Sequence, residues 1–322
     1  MFPSRDAVTV CFAHVAYALQ QRMDVRKTGI RSFEVRTRDD LDRRIRDADV
    51  LVVSGLWHDG LIDLAPKLKF VQSIGAGTDR FSAPLLKQRG IRLASAQGVN
   101  ERAVAEHAIA LILALARRLP EARDNQRRRH FRGMIGEIAA REDELGGKTL
   151  LIVGLGRIGG RLARLAKAFG LKVIGIRRDP AGGLNGADSI HGLDQLAALL
   201  PQADIVALTC PLTPETTGIM NARTFGRMKQ GAMFINVARG RCVDEPAMIE
   251  ALGRGRIAEA GLDVFVDEPL PAESPLWAMD NVLVTPHTAG ETQRYEDNVL
   301  DILLENLERL WRGETTLKNQ VV

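Results

Sequence analysis

The chain has 322 residues, 45% of them apolar and 26% charged; one compact core rarely accommodates so much, so two domains are expected, and disorder is excluded by composition. The 44 Lys and Arg stand against 40 Asp and Glu, a formal charge of +4, and basic runs such as Gln126-Arg127-Arg128-Arg129-His130 are short. That balance argues against a nucleic-acid partner and suits a small anionic ligand.

Cys11, Cys210 and Cys242 lie far apart with no C-x-x-C, so neither a disulfide framework nor a zinc site is expected, and a reducing compartment suits them. The start, MFPSRDAVTV, lacks the charged and apolar regions of a signal peptide. The most apolar helix, Ala103 to Ala116, contains Glu106 and His107 and is too short to span a bilayer. A cytoplasmic protein with no membrane partner and no metal is expected.

Residues 8–12, 50–53, 70–73 and 91–95 read as short buried strands, with helix-compatible segments such as Thr37 to Asp47 and Ala83 to Gln88 between them. That alternation predicts a small open α/β sheet. Directly after one strand comes Gly75-Ala76-Gly77-Thr78-Asp79, whose glycines can expose consecutive N–H groups to a carboxylate, although a plain turn explains the same pattern. The helix that starts near Asn100 has Ile109, Leu111, Ile112, Leu113 and Leu115 and almost no polar face. It is predicted to be buried between domains or, the preferred reading, against a second subunit. His107 within it is given no chemistry. The polar segment that follows Arg117 reads as a surface connection.

Thr149 to Arg178 then runs strand, glycine turn, helix, strand, with Gly154, Gly156 and Gly159 as G-x-G-x-x-G before a helix that opens Arg157-Ile158. In that context the turn predicts a dinucleotide site. Gly154 permits the tight turn, Gly156 the approach of a pyrophosphate to the backbone, and Gly159 close packing of helix on strand. The helix N-terminus adds unpaired N–H groups and a positive dipole end.

Further αβ units follow: helices at 193–200, 222–228 and 245–253, and strands at 205–209, 233–237, 261–264 and 282–285. A final amphipathic helix at 295–312 is predicted to return to the first domain. Ligands of such sheets sit at the carboxyl ends of the strands. There the chain places Asn236-Val237-Ala238-Arg239-Gly240, then Asp263 to Pro269, then Thr285 to Gly290. Hydride transfer between a nicotinamide and an alcohol or ketone needs a proton donor and acceptor, for which His287 is suited. Glu268 can fix its tautomer, and Arg239 can hold a carboxylate and polarise an adjacent carbonyl.

With these motifs in view, the chain resembles the D-isomer-specific 2-hydroxyacid dehydrogenase family. The likeness runs from GAGTD (Gly75 to Asp79), Val104-Ala105-Glu106, GLGRIG and Cys210-Pro211-Leu212-Thr213 through INVARG, DVFVDEP, Ser274 to Trp277 and TPHTAG to Leu317-Lys318-Asn319. It implies two doubly wound parallel-sheet domains. A Rossmann cofactor domain (residues 100–290) would be inserted into a smaller flavodoxin-like substrate domain (1–99 plus 291–322). Arg239, Glu268 and His287 would be catalytic, and Ala76 and Gly77 would hold the substrate's carboxylate. Asp263 would meet the nicotinamide amide, and Thr209, Cys210 and Pro211 would line the adenosine side. Val237, Ala238 and Gly290 are further candidate cofactor contacts. The helix from Arg102 to Ala116 would join a homodimer, and the added regulatory domain of some phosphoglycerate dehydrogenases is expected to be absent.

Where NAD enzymes carry an acidic residue at the end of the second strand, this chain has Arg177 and Arg178. Paired guanidinium groups favour a 2′-phosphate, so NADP(H) is expected over NAD(H), with Asp179 as the competing ribose ligand. The expected substrate is a small anionic 2-keto or 2-hydroxy acid such as glyoxylate or hydroxypyruvate. A phosphoglycerate-type enzyme using NAD is the nearest alternative, and a nucleotide-sensing protein similar to the corepressors of this fold is another.

Overall fold

A computed structural model describes residues 2–322, without the side chain of Ala139. The chain forms two compact units, one from the segment up to Asn100 together with Thr292–Val322, the other from Glu101–Glu291.

The smaller unit contains strands β1 (Thr9–Ala13), β2 (Arg31–Val35), β3 (Val50–Val53), β4 (Phe70–Ser73) and β5 (Arg92–Ala94). They form one parallel sheet in the order β2-β1-β3-β4-β5, the flavodoxin-like arrangement. The central strands β3 and β4 are buried along their whole length, because helices cover both faces of the sheet. Alternate residues supply two cores. Phe12, Val52 and Phe70 pack with Val299, Leu303 and Leu307 of the last helix, Tyr295–Trp311. Cys11, Leu51 and Val71 pack with Leu41, Leu61 and Leu86. Asn306 of that last helix is fully buried, and its amide is satisfied by Gln72 Oε1 at 3.2 Å and by the Lys318 N–H at 2.7 Å.

The larger unit contains β6 (Thr149–Val153), β7 (Lys172–Ile176), β8 (Ser189–His191), β9 (Ile205–Leu208), β10 (Ala232–Asn236), β11 (Ile257–Leu262) and β12 (Val282–Val284). All pair in parallel, in the order β12-β11-β10-β9-β6-β7-β8. The order reverses between β6 and β9, which opens a crevice outside their carboxyl ends; this is the Rossmann arrangement. One device recurs at the opposite edge. An Ala-Asp pair stands just ahead of β3, β8 and β9, and the carboxylates of Asp49, Asp188 and Asp204 accept the N–H of Thr9, Val173 and Thr149 at 2.9, 2.7 and 2.8 Å. Each thus pins a neighbouring strand near its start.

The helix Glu101–Ala116 has an apolar face, including Val104, Ala108, Leu111, Ile112 and Leu115, that is buried inside its own unit. A Cβ at Gly261 would stand 3.1 Å from Leu111 and 3.0 Å from Ile235, so that glycine lets the helix close on the sheet. Much of the burial that the sequence suggested for an interface is therefore internal. The connection after Arg117 lies at the surface where it is helical, since Leu119–Arg127 has no buried residue. Among the described residues no helix is long and apolar enough to cross a membrane.

Candidate active site

The glycine turn is built at the switch point, between β6 and the helix Arg157–Ala168. Gly154 has φ +105°, and a Cβ there would lie 2.4 Å from the backbone N of Cys210. Gly159 is equally constrained: its Cβ would lie 2.5 Å from Gly154 O and 2.9 Å from Thr209 Oγ1. The Thr209 hydroxyl donates to Gly154 O at 2.8 Å, stitching the end of β9 to the turn. Gly156 is different. A Cβ there would meet nothing within 4 Å, so its bareness serves no packing inside the chain. Open space at a helix N-terminus, beside exposed Arg157, fits the pyrophosphate of a dinucleotide. Behind it, Cys210 and Cys242 are buried together. The hydrogen bond with Cys242, then burial, pushes the Cys210 thiol up, while the same bond holds Cys242 down.

At the end of β7, Arg177 Nη1 donates to Gly182 O at 3.2 Å, so the arginine folds onto the loop that follows, and Arg178 is exposed. Asp179 Oδ1 accepts from the Ala181 N–H at 3.0 Å within its own turn. The same loop returns to the glycine helix, where Asn185 Nδ2 donates to Gly156 O at 2.8 Å. Nothing in the sequence singled out Asn185; only the loop's path brings it there.

Arg239, Glu268 and His287 follow β10, β11 and β12. His287 Nδ1 lies 2.7 Å from Glu268 Oε2, and Glu268 Oε1 accepts the Phe265 N–H at 3.0 Å. The carboxylate is thus oriented by its own loop and in turn orients the imidazole, leaving Nε2 as the ring's other polar atom. The ring is half exposed. Arg239 Nη1 donates to Ala238 O at 2.7 Å. Its loop is tied to the Glu268 loop through Gly240, where a Cβ would stand 1.9 Å from the backbone of Phe265. Glu268 and His287 are therefore in direct contact, and Arg239 joins them through backbone packing.

Asp263 is 1% exposed; its carboxylate is hydrogen-bonded to one loop and lies 3.6 Å from His107 Nε2. Oδ1 accepts from Thr285 Oγ1 at 2.6 Å and from the Thr288 N–H at 3.0 Å; Oδ2 accepts from the Ala289 N–H at 3.0 Å. His107 Nε2 lies 2.9 Å from Thr285 Oγ1. The resemblance implied that Asp263 meets the nicotinamide amide, and His107 was given no chemistry; both also contact the loop that carries His287. The signal for His107 was present, a histidine within a largely apolar helix.

In the smaller unit, the Gly75–Asp79 loop is anchored at its start. Ile74 O accepts from the Tyr295 hydroxyl at 3.0 Å, and Gly75 O from the Ala96 N–H at 3.0 Å and Ser73 Oγ at 2.9 Å. Ala76 is exposed and Gly77 half-buried. A cleft of about 860 Å³ in the larger unit is lined by residues such as Lys148, Asp204, Met233, Ala258 and Val282. These stand at the amino ends of the strands, the wrong edge for the chemistry above. Glu259 lines it, and burial raises its carboxyl above the usual range.

A family model described as D-isomer specific 2-hydroxyacid dehydrogenase, NAD binding domain, matches residues 109–289. The chain is 35% identical over 288 residues to a glyoxylate reductase of Korarchaeum cryptofilum, covering 87% of this chain and 85% of that one. It is 38% identical over 288 residues to a D-3-phosphoglycerate dehydrogenase of Methanocaldococcus jannaschii, covering 86% of this chain and 52% of that one. The chain thus spans about half the length of the phosphoglycerate dehydrogenases it matches. Among solved structures, a D-isomer specific 2-hydroxyacid dehydrogenase from Xanthobacter autotrophicus, in complex with NADPH and MES, superposes with a TM-score of 0.79 at 32% identity, covering 98% of each chain. This chain belongs to the D-isomer specific 2-hydroxyacid dehydrogenase family.

Proposed function

We propose that the protein is a dehydrogenase that interconverts small 2-keto acids and D-2-hydroxy acids, with glyoxylate or hydroxypyruvate as substrate and NADP(H) as the preferred cofactor. The observation that carries this reading is the 2.7 Å Glu268–His287 pair at the carboxyl edge of the sheet that also presents the glycine turn. When bound, the nicotinamide supplies or accepts the hydride. Gly154, Gly156, Arg157, Ile158 and Gly159 would hold its pyrophosphate, with Thr209, Cys210 and Pro211 toward the adenosine and Val237, Ala238 and Gly290 along the rest.

The chain's own residues then divide the remaining work. Arg239 would grip the substrate's carboxylate with its planar fork and place a positive charge beside the keto oxygen. Ala76 and Gly77 are assigned a share of that carboxylate. In reduction His287 Nε2 would give its proton to the forming alkoxide, and in oxidation take it back. Glu268, bonded to Nδ1, fixes which nitrogen faces the substrate.

The NADP(H) preference rests on Arg177 and Arg178 at the end of β7, on Asp179 being engaged in its own turn, and on the NADPH-bound relative. The Arg177→Asp variant is expected to shift the NADPH-to-NADH ratio of kcat/KM by at least about tenfold toward NADH, the loss of one charge-assisted contact. An unchanged ratio, or a wild type that prefers NADH, would remove the cofactor part of the proposal. The 38% identical relative favours a second reading, NAD-dependent oxidation of phosphoglycerate, for which Arg80 or Arg294 would supply the extra cation. Competition between phosphorylated and unphosphorylated keto acids separates the two. A homodimer through the Arg102–Ala116 helix is also proposed. The exposed side chains of Phe131 and Met134 in the segment beyond it need a partner surface, and a monomer in sedimentation would exclude one.

A further inference from the structure

His287 occupies backbone space that few residues other than glycine adopt, with φ +55°. One set of hydrogen bonds brackets it. Asp263 accepts from Thr285 on one side of His287 and from Thr288 and Ala289 on the other, at 2.6, 3.0 and 3.0 Å. The chain extends one step further, to His107 Nε2 at 2.9 Å from Thr285 Oγ1.

The direction of the chain follows from proton counting. A threonine hydroxyl has one hydrogen to give, and an ionised carboxylate has none. Thr285 therefore donates to Asp263, and its oxygen must accept from His107, which fixes a hydrogen on Nε2. A buried carboxylate is costly unless its donors are all in place, so the bonds stand or fall together.

We propose that His107 is a positioning residue for catalysis: acting through Thr285 and Asp263, it locks the 285–289 loop so that His287 keeps its left-handed turn and its contact with Glu268. The catalytic consequence rests on the reading of His287 as the proton donor and acceptor; the lock itself does not. A packing role for His107 is the competing account. It differs in one respect, since packing needs volume and the lock needs an N–H at the position of Nε2.

The test uses His107→Leu, His107→Gln, Thr285→Val and Thr285→Ser in the full chain. In the ligand-free protein, amide hydrogen exchange at Thr288 and Ala289 is expected to accelerate roughly tenfold in His107→Leu and Thr285→Val, the scale of one lost hydrogen bond. In His107→Gln and Thr285→Ser, which restore a donor and a hydroxyl, it should stay near wild type. With a 2-keto acid and NADPH, kcat should fall on the order of ten- to a hundredfold in the first pair, with KM within about threefold, as expected when a reacting group is displaced. If His107→Leu fails to fold, the Thr285 pair makes the same comparison. Unchanged exchange in Thr285→Val, or a His107→Gln variant as impaired as a folded His107→Leu, would overturn the lock. A wild type with no keto-acid turnover would instead sink the reading of the site, while the exchange rates would still decide the lock.

Discussion

His287→Ala is expected to lower kcat/KM for 2-keto acid reduction by about 10²–10⁴-fold, the usual range for a positioned acid–base group, while dinucleotide affinity and thermal stability stay near wild type. The half-exposed ring leaves no cavity when removed. Its side chain contacts Glu268 through Nδ1. Because the residue sits at φ +55°, His287→Asn is the better control for the backbone, since asparagine tolerates that conformation. Both variants should lose turnover equally. Glu268→Gln keeps a polar group beside Nδ1 but removes the charge, so it should fall between wild type and His287→Ala. Turnover of His287→Ala within about threefold of wild type, by steady-state kinetics, would show that the proton is handled elsewhere.

The glycine turn provides the second large effect, and its two halves should separate. Gly154→Ala forces an L residue to φ +105° and a Cβ to within 2.4 Å of Cys210 N. Both faults act on backbone that cannot swing aside, so a stability loss of about 1–3 kcal/mol or more is expected, with dinucleotide binding lost as well. Gly156→Ala meets nothing within 4 Å. It should leave thermal stability within about 0.5 kcal/mol yet weaken dinucleotide binding at least tenfold by occupying the space proposed for the pyrophosphate. Melting curves and fluorescence titration with NADPH measure the two independently. Tight NADPH binding by Gly156→Ala would mean that the pyrophosphate lies elsewhere.

The sequence carried the fold class because the central strands announce themselves. Val50–Val53 and Leu150–Val153 are unbroken apolar runs, as strands covered on both faces must be, and G-x-G-x-x-G between strand and helix is tied to one topology. Edge elements were less legible. β2 reads Arg-Ser-Phe-Glu-Val and β8 only Ser-Ile-His; each is half-wet or short, and neither gives a hydrophobic run. β11 begins at Ile257, earlier than predicted, because Ala258-Glu259-Ala260-Gly261 lacks the branched residues that mark a strand.

The site shows the same division. Glu268 and His287 were picked out because each follows a strand, a rule that needs no coordinates. What the loops do between those points is not written in spacing. Arg177 folding onto Gly182, Asn185 reaching Gly156, and His107 reaching Thr285 across 178 residues of sequence depend on loop paths and helix rotation. The helix at 101–116 was legible only in part for a related reason: apolar periodicity reports that a face is buried, not which surface buries it, and here one such face packs within its own unit.

The proposed function stands on reductase chemistry at the Glu268–His287 edge. Its most direct test is to follow NADPH and NADH absorbance with the purified wild-type chain against glyoxylate, hydroxypyruvate, larger 2-keto acids and a phosphorylated keto acid. Consumption of NADPH with glyoxylate or hydroxypyruvate, abolished in His287→Ala, is the expected result. Tight dinucleotide binding with no turnover of any keto acid would contradict the account and point to a nucleotide-sensing protein instead.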